Sequence, residues 1–117
     1  MAAVPGWVTD IVDRYVGSLR DLGVNPVRIV LFGSHASGEA TALSDIDLLV
    51  VSTDFSTLSA PERVRVLARA NLRLLEPIQA LWATPESLRD LRPTDFLHHV
   101  LATGVELPVA PDPALSA

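Results

Sequence analysis

The chain of 117 residues contains no cysteine and no lysine. Without cysteine there is no disulfide framework and no thiolate metal site, which fits a reducing compartment. Every one of the nine basic residues is an arginine, and the formal net charge is −5. A protein that neutralises many phosphates of a polynucleotide carries the opposite balance, so a long nucleic-acid ligand is disfavoured. No apolar run approaches membrane-spanning length, and the first residues lack a basic stretch followed by a continuous apolar one. Repeats, a P-loop and a serine–histidine–aspartate arrangement are also missing. These absences read as a soluble cytoplasmic protein. Apolar residues at 49 % and charged residues at 20 % suit one globular domain, expected over residues 1–107, with a loose, proline-rich tail over 108–117.

Apolar periodicity places the elements. Ile11, Val12, Tyr15, Val16, Leu19 and Leu22 form a helical stripe over Thr9 to Leu22, with Gly23 as its C-cap. Val27 to Phe32 is short, β-branched and bounded by proline and glycine, as a strand requires. Residues 33–44 are rich in Gly, Ser, Ala and Thr and read as a turn, a short helical piece and a loop. Asp45 to Val51 is the second strand. Ser59 and Glu62 make a capping box for a helix over Pro61 to Leu75, with Val64, Leu67, Ala68, Leu72 and Leu75 expected to face the core. A third strand spans Ile78 to Ala83, a short helix follows Thr84-Pro85-Glu86 as far as Leu91, and Asp95 to Thr103 forms a last helix closed by Gly104. Val105 to Leu107 adds a strand.

The chemistry concentrates in two places. Leu31-Phe32-Gly33-Ser34 ends one strand in a glycine-serine turn, and Asp45-Ile46-Asp47 opens the next. Residues i and i+2 of a strand share a face, with Cα atoms about 6.5 Å apart. Two carboxylates so placed converge on divalent cations, while a Gly-Ser turn entering a helix holds phosphate. Magnesium suits such a site, because it takes a few carboxylates plus substrate phosphates and water. The bland alternative is a plain turn and an exposed strand face. The joint pattern between two strands favours metal-assisted nucleotidyl transfer.

On these residues the chain resembles the minimal nucleotidyltransferases of the DNA polymerase β-like superfamily. The match runs through Leu31-Phe32-Gly33-Ser34-His35-Ala36-Ser37-Gly38-Glu39-Ala40 and Ser44-Asp45-Ile46-Asp47-Leu48-Leu49-Val50, and more weakly through the third strand and Thr84-Pro85-Glu86. The resemblance implies an α/β (α+β) fold, a small mixed sheet flanked by helices. It implies ATP as substrate, Asp45 and Asp47 as ligands of two Mg²⁺ ions, and Gly33, Ser34, His35 and Ser44 as nucleotide contacts. It also implies a partner: many small members move AMP onto a helical HEPN-domain toxin and act as antitoxins. A homo-oligomer is a further possibility.

Two positions depart from the family. His35 stands where arginine is common, and is either a phosphate contact or an exposed loop residue. Gln79 stands where the third strand usually carries an acid. An amide can orient a hydroxyl, but it is neither a useful base nor a strong Mg²⁺ ligand. Glu76 is the nearest acid, and Pro77 puts it at the strand's edge. The catalytic set is thus Asp45, Asp47 and Gln79. The alternative is a nucleotidyltransferase-fold module that neutralises its partner by contact; a third option is the nucleotide-binding subunit of a small-molecule-modifying enzyme. Adjacent His98 and His99 point in different directions on a helix and read as structural. Trp82 reads as core, and Arg65, Arg69 and Arg73 as a solvated helix face rather than a surface for an acidic partner helix.

Overall fold

The computed structural model describes residues 4–112. Helix α1 (Gly6–Asp21) begins three residues earlier than expected, because Pro5 is extended and its carbonyl accepts from the N–H groups of Val8 and Thr9. The predicted stripe is buried from Ile11 to Leu19 and extended backwards by Val8, while Leu22 is the half-buried C-cap. At its C-terminus Gly23 takes φ +90°, its N–H donates to Arg20, and the Val24 N–H donates to Leu19. This doubly bonded closure is what a left-handed glycine allows.

Strands β1 (Arg28–Phe32), β2 (Ile46–Val51), β3 (Ile78–Ala83) and β4 (Val105–Leu107) form one mixed sheet in the order β3-β2-β1-β4. β1 pairs antiparallel with β2 and β4, and β2 pairs parallel with β3. Both faces are covered. Ile29, Leu31, Ile46, Leu48 and Val50 pack with α1 and with Leu67 and Ala70 of α3 (Ala60–Leu72). Val30, Leu49, Val51 and Ala83 pack with Val100 of α4 (Phe96–Thr103). A strand covered on both faces should be apolar throughout. In β2 every residue is buried except Asp47, the one charge in the run.

Helix α3 carries the predicted capping box: Glu62 N–H donates to Ser59 Oγ, and Ser59 N–H donates to the Glu62 carboxylate, holding that carboxyl below its ordinary range. Its buried face, however, is not the expected one. Val64, Leu72 and Leu75 are 62 %, 67 % and 81 % exposed, and Ala68 is exposed too. The buried positions are Leu67 and Ala70, with Val66 and Leu74 partly covered. The cause is polar as well as apolar. Tyr15 Oη and Ser18 Oγ of α1 donate to the carbonyls of Leu67 and Ala70 at 2.8 and 2.7 Å, so the two helices are fastened on that side. Burial raises the Tyr15 phenol far above its ordinary pKa. The helix also stops three residues short of Leu75. Asn71 bonds both the N–H and the carbonyl of Glu76, and Leu75 turns to φ +54°.

Other departures are local. A 3-10 segment over Thr53–Thr57, capped by Ser52 Oγ, had no expectation attached to it. The helix expected up to Leu91 is a single 3-10 turn, Glu86–Leu88, because the Thr84 and Ser87 side chains bond back to the local backbone. Trp82 is half-buried: it meets Phe55 at 6.2 Å, and the Arg63 guanidinium covers its ring at 4.1 Å. Arg73 pairs with Asp21 at 2.8 Å, while Arg65 and Arg69 are exposed. In the expected tail, Val109 packs on the core and Arg20 donates to the Ala110 carbonyl; residues 113–117 lie outside the described part. Among the described residues no helix is long and apolar enough to cross a membrane.

Candidate nucleotide site

β1 ends at Phe32, Gly33 makes the bend, and the short helix α2 (Ser34–Ser37) follows. Gly33 has φ +73° and ψ −154°, a region essentially closed to residues with a Cβ. The bend brings its Cα against Asp47: a Cβ there would overlap Asp47 Oδ2 and stand 3.2 Å from Cγ. The carboxylate of the central strand and the glycine turn are thus in direct contact.

Asp47 lies opposite Phe32 on β1 and opposite Gln79 on β3, so the three side chains share one face of the sheet. Gln79 is exposed beside Asp47, at the register position inferred for the third-strand residue. Asp45, just ahead of β2, is exposed. Asp47 has its pKa raised by burial and by the Asp45 charge, an effect His35 opposes. Neither aspartate is ion-paired, since the three salt bridges among the described residues lie elsewhere. Two close carboxylates, one partly desolvated and neither compensated by an arginine, suit a divalent cation that retains water and phosphate ligands. No group of three or more His, Cys, Asp or Glu side chains suited to a metal occurs among the described residues. The protein therefore offers two carboxylates, and a nucleotide's phosphates would complete the shell.

His35 is not an exposed loop residue. It is 5 % exposed, its ring meets Trp7 edge-on at 5.5 Å, and Nε2 is 3.2 Å from the Ser44 carbonyl. Ser44 Oγ accepts from the Thr41 N–H at 2.8 Å, closing the loop that leads into Asp45. His35 and Ser44 together tie α2 to the start of β2, which holds the bend and the two aspartates in one frame. Ser34 borders a groove between α2 and α4.

Two residues with no functional expectation stand at the rim. Phe96, the first residue of α4, is 58 % exposed and packs edge-to-face on Phe32 at 6.0 Å, next to Asp47 in the sheet. Its one sequence signal is a large aromatic at a helix start. His99, read as structural, is exposed and lines the groove that Gly33 and Ser34 border.

A family model described as nucleotidyltransferase domain matches residues 12–98, which include every site residue expected from the sequence but stop just short of His99. No curated protein matches significantly. Among solved structures, a Sulfolobus solfataricus protein provisionally described as a nucleotidyltransferase is similar with a TM-score of 0.60 at 15 % identity, covering 86 % of this chain and 78 % of that one. A toxin–antitoxin structure determined with AMP-PNP is similar with a TM-score of 0.58 at 24 % identity, covering 88 % of this chain and 73 % of that one. At these identities both likenesses bear on the fold, which is the mixed-sheet architecture that the family resemblance implies. Because the matched span covers well over half of the chain, the chain belongs to the nucleotidyltransferase domain family, in keeping with its resemblance to the minimal nucleotidyltransferases.

Proposed function

We propose that the protein transfers a nucleoside monophosphate, AMP from ATP, to a hydroxyl group of a partner protein, and that a helical HEPN-type chain is the partner. The observation that carries this is the contact between Asp47 and the Gly33 bend, with Asp45 alongside and both carboxylates unpaired. Asp45 and Asp47 would hold Mg²⁺, and Gly33 and Ser34 would take the phosphates. When bound, the divalent ion neutralises phosphate charge and favours departure of pyrophosphate. In the reaction the acceptor oxygen bonds to the α-phosphorus, the bond to the β,γ-pyrophosphate breaks, and the hydroxyl proton passes to water. The protein's own work is positioning. The Gly33 bend fixes the phosphates against the carboxylates, His35 and Ser44 keep that frame rigid, and Gln79 orients the acceptor hydroxyl.

Incubating the protein with labelled ATP, Mg²⁺ and the product of its neighbouring gene tests this. Label transfer that Asp45→Asn lowers by at least about a hundredfold, the scale of losing a transition-state electrostatic contact, is the expected result. Absence of transfer that Asp45→Asn does not alter would overturn it.

Gln79 favours a second reading, a module that neutralises its partner by contact, because an amide cannot serve as the base. Gln79→Asp separates the two. In an attenuated enzyme the restored carboxylate raises Mg²⁺-dependent turnover; in a contact-only module it changes nothing, and Asp45→Asn leaves neutralisation intact.

A further inference from the structure

Gly33 adjoins two features: it touches Asp47, and it borders a groove of about 420 Å³ lined by Ser34, Ser37, Glu39, His99 and Thr103. If the reacting α-phosphorus sits at the aspartates, the chain of phosphates can continue past the bend into this groove. What awaits it there is unusual for a phosphate site: none of the nine arginines lines the groove. Each hydroxyl but one is accounted for internally, since Thr103 Oγ1 donates to the His99 carbonyl at 2.8 Å and Ser37 Oγ to the Ser34 carbonyl at 3.3 Å. Glu39 adds a negative charge. His35 is unavailable, being buried against Trp7.

His99 is the exception. It projects from α4, is exposed, and its ring has no hydrogen-bond or ion-pair partner among the described residues, Glu39 included. It is the single lining side chain able to carry positive charge, and in either protonation state it keeps an N–H donor. We infer that His99 is a positioning residue for the leaving pyrophosphate: it donates to the terminal phosphates of the nucleotide in the groove that Gly33 and Ser34 border. The inference rests on the nucleotidyl-transfer reading and adds to it a residue from outside the Gly-Ser and Asp-x-Asp motifs. Adjacent His98 is exposed but does not line the groove, so it serves as an internal control.

The test is calorimetric titration of the full chain with Mg²⁺–ATP, with AMP and with inorganic pyrophosphate. His99→Ala should weaken ATP and pyrophosphate binding by roughly tenfold, the cost of one hydrogen bond to a charged group, and change AMP affinity by less than about twofold. His99→Arg should restore ATP and pyrophosphate affinity, and His98→Ala should match the wild type. Unchanged ATP and pyrophosphate affinity in His99→Ala, while Asp45→Asn abolishes ATP binding, overturns the role of His99 and leaves the proposed function standing. Equal losses for ATP and AMP also overturn it, because they place the contact at the α-phosphate or nucleoside. A wild-type chain that binds neither ATP nor pyrophosphate overturns both.

Discussion

Asp47 is costly to the fold that holds it. Its β2 neighbours are all buried, its charge faces that of Asp45, and both effects raise its pKa. A carboxyl whose folded pKa lies above its unfolded value binds its proton more tightly in the native state. Stability therefore falls as pH rises from the unfolded value near 3.8 through the raised folded value, and the penalty persists at neutral pH. Asp47→Asn removes the penalty. In metal-free buffer at pH 7 the variant should be more stable than wild type, and the difference should vanish below pH 3. Thermal unfolding followed across pH 3–7 checks this, and added Mg²⁺ should narrow the gap by stabilising the wild type alone. At this scale the sequence was informative where chemistry is local. Gly33 directly follows Phe32, which pairs with Asp47 across adjacent antiparallel strands, and the contact follows from that pairing. His99 lies more than fifty residues downstream. Only the packing of α4 beside β1 brings it to the turn, so neighbouring residues in the chain carried no sign of it.

Among the elements, α4 is held by a close approach that a single atom would disturb. Gly104 has an ordinary φ, but a Cβ there would lie 2.6 Å from the Val100 carbonyl oxygen, 2.6 Å from Val30 Cγ1 and 2.9 Å from the Leu31 carbonyl oxygen. Two of these atoms are backbone and have little freedom to move. Gly104→Ala should cost about 1–3 kcal/mol, measured by chemical denaturation, by pushing the end of α4 off β1. If His99 acts as inferred, nucleotide affinity falls with it. Cap chemistry was the readable part of the elements, because it depends on residues three apart: the Ser59–Glu62 box and the Gly23 closure both follow from their sequence signals. The end of α3 was not readable. Leu72 and Leu75 continue the apolar period, yet Asn71 takes over the backbone of Glu76 and stops the helix.

For the molecule as a whole, the face that α3 buries had to be found in three dimensions. Two apolar stripes share Leu67: one runs through Val64, Ala68, Leu72 and Leu75, the other through Val66, Ala70 and Leu74. Periodicity favours the longer. The fold takes the shorter, because small Ala70 admits α1 closely and the α1 hydroxyls find carbonyls there. Leu67→Ala should therefore cost about 2–4 kcal/mol. Leu72→Ala should fall within about 0.5 kcal/mol of wild type in the same denaturation experiment, since its side chain is 67 % exposed. Sheet order and strand direction were equally out of reach of local pattern; the family resemblance supplied the mixed sheet, and the register then supplied the neighbours of Asp47.

The clasp formed by Asn71 has an effect well beyond its own turn. By gripping both backbone groups of Glu76, two residues before β3 begins, it fixes where that strand starts counting. Side chains alternate along a strand, so a slip of one residue would rotate the amide of Gln79 into the α1–α3 core and deliver Ile78 or Ala80 to Asp47 instead. An asparagine that touches no candidate ligand thereby works as the indexing pin of the cleft.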